Sequence, residues 1–257
     1  MGGNSQELHD PGPTRQRRTN TLCLYLIGCI QETPEPEALH GLMTLELERE
    51  AGMRTPVPFD KKLTFEEFLD WCDEDTRAEW VDGEVVMVSP ASERHEDVRC
   101  FLEAVLRIFV EQYGLGRVLG SVFQMRLPDP VSRSRQPDLL FVATARLERL
   151  HATYLDGPAD VVVEIISPES RLRDRGEKFA EYAMGGVQEY WLIDPERQEA
   201  DWYQRDARGR YRPVEPDPAG WYASVAVPGF RLRTAWLWQE PLPKILDVVR
   251  ELGLLSS

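Results

Sequence analysis

The sequence lacks the glycine-rich loops that bind nucleotides. Neither G-x-x-x-x-G-K-[S/T] nor G-x-G-x-x-G occurs among its 257 residues. Its four cysteines form no C-x-x-C pair and no spacing typical of metal ligands. We therefore expect no nucleotide cofactor and no zinc site. Thiols without an evident partner favour a reduced protein, and we predict a cytoplasmic location.

Positive charge is outnumbered by negative charge. The chain has 30 Lys and Arg against 44 Asp and Glu, which gives a formal net charge of −14. Proteins that coat nucleic acid without specificity are usually basic overall. The composition therefore argues against that class of protein, but it is compatible with an enzyme that has a local basic groove.

A long apolar run is missing near the N-terminus. The segment LCLYLIGCI, residues 22–30, is too short to span a bilayer as a helix. Arginines precede it, as in a signal peptide, but no small-x-small cleavage motif follows it. We expect no association with a membrane.

Residues 1–55 differ in composition from the rest of the chain. We predict that they form a disordered extension or precede the true start, which we place near Met43 or Met53. A tether to a membrane or a partner is the alternative. Residues 56–257 are predicted to form a single folded domain.

The first part of this domain has clear helix and turn signals. Thr64 and Glu67 fit a capping box at a helix start. Asp82-Gly83 predicts a type I′ turn between two strands. A long helix is predicted where apolar residues recur at helical spacing, from Val98 to Val110. Residues 118–127 are predicted to form one strand.

Three apolar runs organise the rest of the chain. They are QPDLLFV at 136–142, DVVVEIIS at 160–167 and EYWLID at 189–194. A predicted helix from Arg173 to Met184 separates the last two. Runs this continuous belong to strands covered on both faces, which predicts an α/β fold. Beyond Pro195, short strand-like segments predict β-ribbons that extend the sheet.

Two carboxylates mark the ends of these strands. Asp138 follows Pro137 at the start of one run, and Glu164 lies near the end of another. If the two strands are antiparallel neighbours, both carboxylates lie at one edge of the sheet and can hold a hard cation such as Mg²⁺. The alternatives are a turn-capping role for Asp138 and an arginine partner for Glu164.

Lys178 and Glu79 are further candidates for the same site. Lys178 lies at the margin of the buried face of the predicted helix, from which it can orient water or neutralise charge on phosphate. An i, i+4 pair with Asp174 is its alternative role. Glu79 is predicted at a helix-to-strand junction, as a third acid near the metal or as a solvated residue.

Arginines crowd the sequence on both sides of these acids. Arg133 and Arg135 precede Asp138, and Arg171, Arg173 and Arg175 precede Lys178. Folded together they would form a cationic rim suited to phosphate, and the candidates for phosphate binding are Arg135, Arg171 and Arg175. An ordinary charged loop is the alternative.

Other polar residues give weaker signals. His95, near the start of the long helix, is interpreted as structural, and Gln124 as a site amide or a partner within a strand. Ser167 and Ser170 have no evident His and Asp partners, which argues against a serine hydrolase.

The motifs together resemble the Uma family of restriction endonucleases, in the PD-(D/E)XK nuclease superfamily. The segments that carry the resemblance are EWVDGEVV, QPDLLFV and VVVEIISPESRLRDRGEKFAEYAMGGVQEYWLIDP, within about residues 60–240. The superfamily pattern has a lysine two residues after the acid, where this chain has Ile166. Lys178, on the following helix, matches the lysine that replaces it in this family.

The resemblance implies a restriction-endonuclease-like fold, with a central mixed β-sheet flanked by helices. It also implies metal-dependent DNA hydrolysis, with Asp138 and Glu164 as metal ligands and Glu79 as a further acid. The leading hypothesis is a Mg²⁺-dependent endodeoxyribonuclease in which Mn²⁺ can substitute, and in which Lys178 serves the attacking water. The alternative is a non-catalytic binding module on a degenerate nuclease scaffold. A homodimer is expected, because two DNA strands require two sites.

Overall fold

The computed structural model describes residues 61–73 and 76–255. The predicted extension, residues 1–55, lies outside the described residues, so the domain boundary at residue 55 stays a prediction. Within the described ranges, no helix is both long enough and apolar enough to cross a membrane.

Helical segments cover the sheets. They are α1 (Phe65–Trp71), α2 (Glu93–Tyr113), α3 (Arg171–Arg173), a π-helical turn (Asp174–Lys178), α4 (Phe179–Gly185), α5 (Ile245–Glu251) and two 3₁₀ turns (Thr144–Arg149 and Thr234–Trp238). The π-helical turn joins α3 to α4 without a break, and we refer to residues 171–185 as the composite helix. Single π-helical turns inside helices occur frequently at functional sites.

The strands form three sheets. They are β1 (Ala78–Val81), β2 (Glu84–Met87), β3 (Gly116–Gly120), β4 (Gln124–Arg126), β5 (Ser134–Arg135), β6 (Leu139–Ala143), β7 (Tyr154–Asp156), β8 (Val161–Ile165), β9 (Glu189–Asp194), β10 (Glu199–Arg205), β11 (Tyr211–Pro213), β12 (Trp221–Ala223) and β13 (Arg231–Arg233). The orders are β2-β1-β5-β4-β7, β11-β10-β9-β8-β6-β3 and β12-β13.

The six-stranded sheet is mixed, because β8 and β9 are parallel whereas β6 and β8 are antiparallel. Its central strands alternate between two apolar layers. Val163 and Trp191 belong to the layer that contains α2, and Val162 and Leu192 belong to the layer that contains Tyr182. The prediction of an α/β fold with a mixed sheet flanked by helices is confirmed.

Several local predictions are also confirmed. Thr64 and Glu67 form the reciprocal hydrogen bonds of a capping box. Asp82 and Gly83 both have positive φ, 53° and 88°, as a type I′ turn requires. The buried residues of α2 are those whose spacing predicted the helix.

Two boundary predictions were wrong. Residues 118–127 do not form one strand, because Ser121 and Val122 make a turn and β3 and β4 enter different sheets. In the C-terminal part, β10 and β11 extend the six-stranded sheet as predicted, whereas β12 and β13 pair only with each other.

Candidate active site

Residues 136–138 carry the chain from one sheet to the other. β5 ends at Arg135 in the five-stranded sheet, and β6 begins at Leu139 in the six-stranded sheet. Pro137 has a fixed φ, and it restricts the residue before it to extended conformations. The amide of Gln136 donates to Glu79 Oε1 at 3.4 Å, so the two sheets meet at the Gln-Pro-Asp segment.

Asp138 and Glu164 lie opposite each other on the antiparallel strands β6 and β8. Leu139 pairs with Val163, and one further step in the same register sets Asp138 against Glu164. The Ile165 amide donates to Asp138 Oδ2 at 2.7 Å. The two strands are antiparallel neighbours, as the sequence-based prediction required. The two carboxylates therefore meet at one end of the strand pair.

Lys178 lies at the centre of an acidic cluster. Its Nζ is 2.9 Å from Glu164 Oε1, 3.1 Å from Glu79 Oε1 and 3.5 Å from Asp174 Oδ1. The Tyr182 hydroxyl donates to the same Glu164 oxygen at 2.7 Å. The composite helix therefore supplies both a cation and a hydroxyl to one buried carboxylate of the sheet.

Lys178 pairs with Asp174, as its alternative role predicts, and its ammonium group also contacts Glu164. Ile166, where the superfamily pattern has lysine, is buried among apolar side chains. An ammonium group reaches Glu164 from the composite helix instead.

Glu79 lies in β1 and not at the predicted helix-to-strand junction, because Ala78–Val81 pairs with β2 and with β5. Its second oxygen, Oε2, accepts a hydrogen bond from Arg135 Nη1 at 2.8 Å. Arg135 also donates to Glu181 through Nε and Nη2, at 2.7 and 2.8 Å. With 1% of its side chain exposed, Arg135 is an internal counter-ion to two buried acids, and it also pairs with the exposed Glu177.

Burial and charge act against each other in this cluster. Burial opposes ionisation of Glu79, but the charges of Lys178 and Arg135 outweigh it and lower the pKa of Glu79 to about 2. Burial also raises the pKa of Glu164 above its ordinary value, although the charge of Lys178 opposes that rise. Burial lowers the pKa of Lys178, but the surrounding carboxylates outweigh it and raise that pKa. The lysine therefore stays charged.

His95 is a site residue that the sequence-based interpretation missed. Its Nε2 lies 3.2 Å from Asp138 Oδ1. Burial lowers the pKa of the imidazole, but the hydrogen bond and charge of Asp138 outweigh it and raise that pKa. Asp174 and Tyr182 were also missed as members of the site. Their spacing of four residues on either side of Lys178 was the available signal, since such residues share a helix face.

A cavity of about 180 Å³ opens over the cluster. Its wall includes Glu79, His95, Asp138, Glu164 and Lys178, so the structure brings together the four predicted catalytic residues. Gln124 lies elsewhere, buried in β4, where its amide donates to the Ala78 carbonyl at 2.7 Å.

The three arginines predicted to bind phosphate do not line this cavity. Arg135 is enclosed by Glu79 and Glu181, as described above. Arg171 Nη2 lies 3.0 Å from Asp194 Oδ2, and Arg175 pairs with Asp201. Their placement gives no support to the predicted cationic rim, because each guanidinium is already paired with carboxylate.

The donor set at the end of β6 and β8 suits a hard divalent cation. Asp138 and Glu164 supply carboxylate oxygens, which Mg²⁺ prefers. Glu164 Oε2 receives no hydrogen bond from the described residues, since both donors reach Oε1. Among the described residues, no cluster of three or more His, Cys, Asp or Glu side chains has the arrangement of a complete metal site.

The fold matches that of a solved structure. A crystal structure from Anabaena variabilis ATCC 29413, described as "a putative nuclease belonging to DUF820", aligns with a TM-score of 0.58 and 19% sequence identity. The alignment covers 68% of this chain and 97% of that chain. No curated protein matches the sequence. The chain therefore shares the mixed α/β fold of that structure, and its acidic site lies where two of its sheets meet.

The sequence also identifies the family. The model of the Uma2 family, described as "Putative restriction endonuclease", matches residues 65–235, which is more than half of the chain. The chain belongs to this family, and the resemblance noted from its motifs is confirmed.

Proposed function

We propose that the protein is a metal-dependent endonuclease that hydrolyses phosphodiester bonds in DNA. The observation that supports this most strongly is the position of Asp138 opposite Glu164, with the Lys178 ammonium 2.9 Å from the Glu164 carboxylate. Paired carboxylates can hold a divalent cation, and a lysine beside them can stabilise charge on phosphate, so the group is suited to metal-assisted phosphodiester cleavage. Membership of a family of restriction endonucleases supports the same conclusion.

Asp138 and Glu164 would hold the ion, Mg²⁺ or in its place Mn²⁺. When bound, such an ion polarises a phosphoryl oxygen and lowers the pKa of water at the site. The Ile165 amide and His95 fix the orientation of the Asp138 carboxylate. Tyr182 does the same for Glu164.

Lys178 would orient the attacking water and stabilise negative charge that develops on the phosphate. Glu79 shares this lysine with Glu164 and is itself held by Arg135. Because Lys178 and Arg135 engage both of its oxygens, the contacts of Glu79 favour a role in holding Lys178 over a role as metal ligand.

A plasmid-nicking assay tests the proposal. With Mg²⁺ or Mn²⁺ the wild type should convert supercoiled DNA to nicked or linear forms, and chelation should stop the reaction. Glu164→Gln should lower the rate at least about 100-fold. Glu196→Gln makes the same charge change at an exposed position and should leave the rate unchanged. Equal cleavage by wild type and Glu164→Gln would rule out this site.

A non-catalytic binding module on the same scaffold is the second candidate function. It is favoured by the pairing of Lys178 with three carboxylates and by the occupation of Arg135, Arg171 and Arg175 in ion pairs. Absence of cleavage by the wild type would support it.

Thermal melting separates the two questions of metal binding and catalysis. A ligand that binds only the folded state raises the melting temperature. Mg²⁺ or Mn²⁺ should stabilise the wild type and should have no effect on the Asp138→Asn/Glu164→Gln double variant. Stabilisation that survives in the double variant would remove the argument for a metal site at these residues.

A further inference from the structure

The wall of the active-site cavity contains several basic side chains, some of which pair with carboxylates and some of which do not. Lys178 and His95 contact the acids of the site. Arg99 is held on both sides, since its Nε lies 2.9 Å from Glu96 Oε2 and its Nη1 lies 2.6 Å from Glu103 Oε2. Each of these three basic side chains is already engaged by a carboxylate, so it could bind a substrate anion only by giving up that contact.

Arg173 differs from them. It ends α3 and lines the cavity, and its Nε is buried with no hydrogen-bond partner in the described part of the chain. Its neighbours on the composite helix, Arg171 and Arg175, pair with Asp194 and Asp201 outside the cavity. Three arginines at alternate positions thus divide into two that pair with carboxylates and one, Arg173, that lines the cavity and forms no ion pair with the described residues.

Arg77 is a second arginine that lines the cavity without a carboxylate partner among the described residues. It immediately precedes β1, is exposed and lines the same cavity. No ion pair joins it to any described residue. Arg173 also acts on the acidic cluster, because its positive charge contributes to the lowered pKa of Glu79.

A guanidinium group suits phosphate because its planar fork can donate two parallel hydrogen bonds to phosphate oxygens. A chain with a net charge of −14 repels DNA overall, so contact with a DNA backbone requires local positive charge. An available guanidinium beside paired carboxylates provides such charge next to the groups proposed to cleave.

We propose that Arg173, together with Arg77, forms the subsite that binds the DNA backbone phosphates beside Asp138 and Glu164. This subsite deepens the proposed nuclease function and rests on it. It replaces Arg135, Arg171 and Arg175 as the phosphate-contacting residues.

Fluorescence anisotropy with a labelled DNA duplex in EDTA measures phosphate contacts independently of cleavage. The logarithm of the binding constant falls with the logarithm of salt concentration, with a slope of about 0.9 per neutralised phosphate. Arg173→Gln should lower this slope by about 0.9, and the double variant with Arg77→Gln should lower it about twice as much. Arg173→Lys keeps the charge and should keep the slope.

Arg175→Gln is the matched control, because it removes one charge from the same helix outside the cavity, and its slope should equal that of the wild type. Circular dichroism confirms folding of each variant. Should Arg173→Gln fail to fold, the exposed Arg77→Gln decides the question alone. The inference would be overturned if Arg173→Gln and Arg77→Gln both showed the same salt slope as the wild type. It would also be overturned if the wild type bound no DNA.

The nicking assay, run in parallel, separates this inference from the proposed function. Suppose that the wild type cleaves DNA while Arg173→Gln and Arg77→Gln both keep its KM and its salt slope. That result would disprove the subsite and leave the nuclease proposal intact. Binding that depends on Arg173, without cleavage by the wild type, would support the subsite and contradict catalysis.

Discussion

At the scale of residues, Lys178 joins the elements that make up the site. Its ammonium contacts Glu164 of β8, Glu79 of β1 and Asp174 of its own helix. All four side chains are buried. Charges in such a position are tolerated only when they compensate one another.

Replacement of Lys178 by methionine removes this compensation. We expect Lys178→Met to lower the free energy of unfolding by roughly 3–5 kcal/mol at neutral pH, because uncompensated buried carboxylates remain. The loss should be smaller at pH 5, where those carboxylates can accept protons. Urea unfolding at the two pH values measures both effects, and a cost below about 1 kcal/mol at neutral pH would show that the cluster is not coupled as described.

Arg135 offers a test between two roles. As the buried counter-ion of Glu79 and Glu181 it should be required for stability, so Arg135→Met should cost roughly 3–5 kcal/mol in the free energy of unfolding. As a phosphate ligand it would instead change DNA affinity with little effect on stability. Urea unfolding and anisotropy on the same variant distinguish the roles, and a variant as stable as the wild type would contradict the structural role.

At the scale of elements, Glu189 ties the C-terminal ribbon to the sheet. This buried carboxylate at the start of β9 accepts hydrogen bonds from Trp191, Tyr222 and Ser224, at 2.7 to 2.9 Å. The amides of Val225 and Ala226 also donate to it, at 2.6 and 2.8 Å. A single buried side chain thus fixes the loop between β12 and β13.

We expect Glu189→Gln to destabilise the protein by roughly 3 kcal/mol, because the amide nitrogen cannot accept hydrogen bonds and the buried donors that now reach that oxygen lose their partner. Limited proteolysis should then cut the loop between β12 and β13 first. The rate of plasmid nicking, measured below the unfolding temperature, should be unchanged because Glu189 is not part of the cavity wall. A loss of activity without a loss of stability would contradict this assignment.

Some residues of the site could be predicted from local sequence patterns, and others depend on how the elements pack. Glu164 was recognisable as a site candidate because a lone acid interrupts a continuous apolar run. Lys178 was recognisable because it lies at the margin of the buried face of the predicted helix. The position of Glu79 was not predictable, because it depends on the pairing of β1 with β5, strands that are distant in sequence. The arginine partners depend on the same long-range packing, which local patterns do not encode.

At the scale of the whole molecule, double-strand cleavage would require two copies of the site. We therefore expect a homodimer in solution, with a mass near twice that of the 29.5 kDa chain. Light scattering coupled to size-exclusion chromatography measures this mass. A dimer should yield linear plasmid early in the nicking reaction. A monomer that produces only nicked circles would contradict the expectation of a dimer.

We propose that Asp138 and Glu164 share one divalent cation beside Lys178. A crystal structure of the wild-type protein grown with Mn²⁺, with anomalous difference density, shows directly whether they do. We expect one anomalous peak bonded to carboxylate oxygens of both Asp138 and Glu164, and no such peak in Glu164→Gln. No peak at this position, or a peak bonded only to other residues, would show that these two carboxylates do not hold the ion.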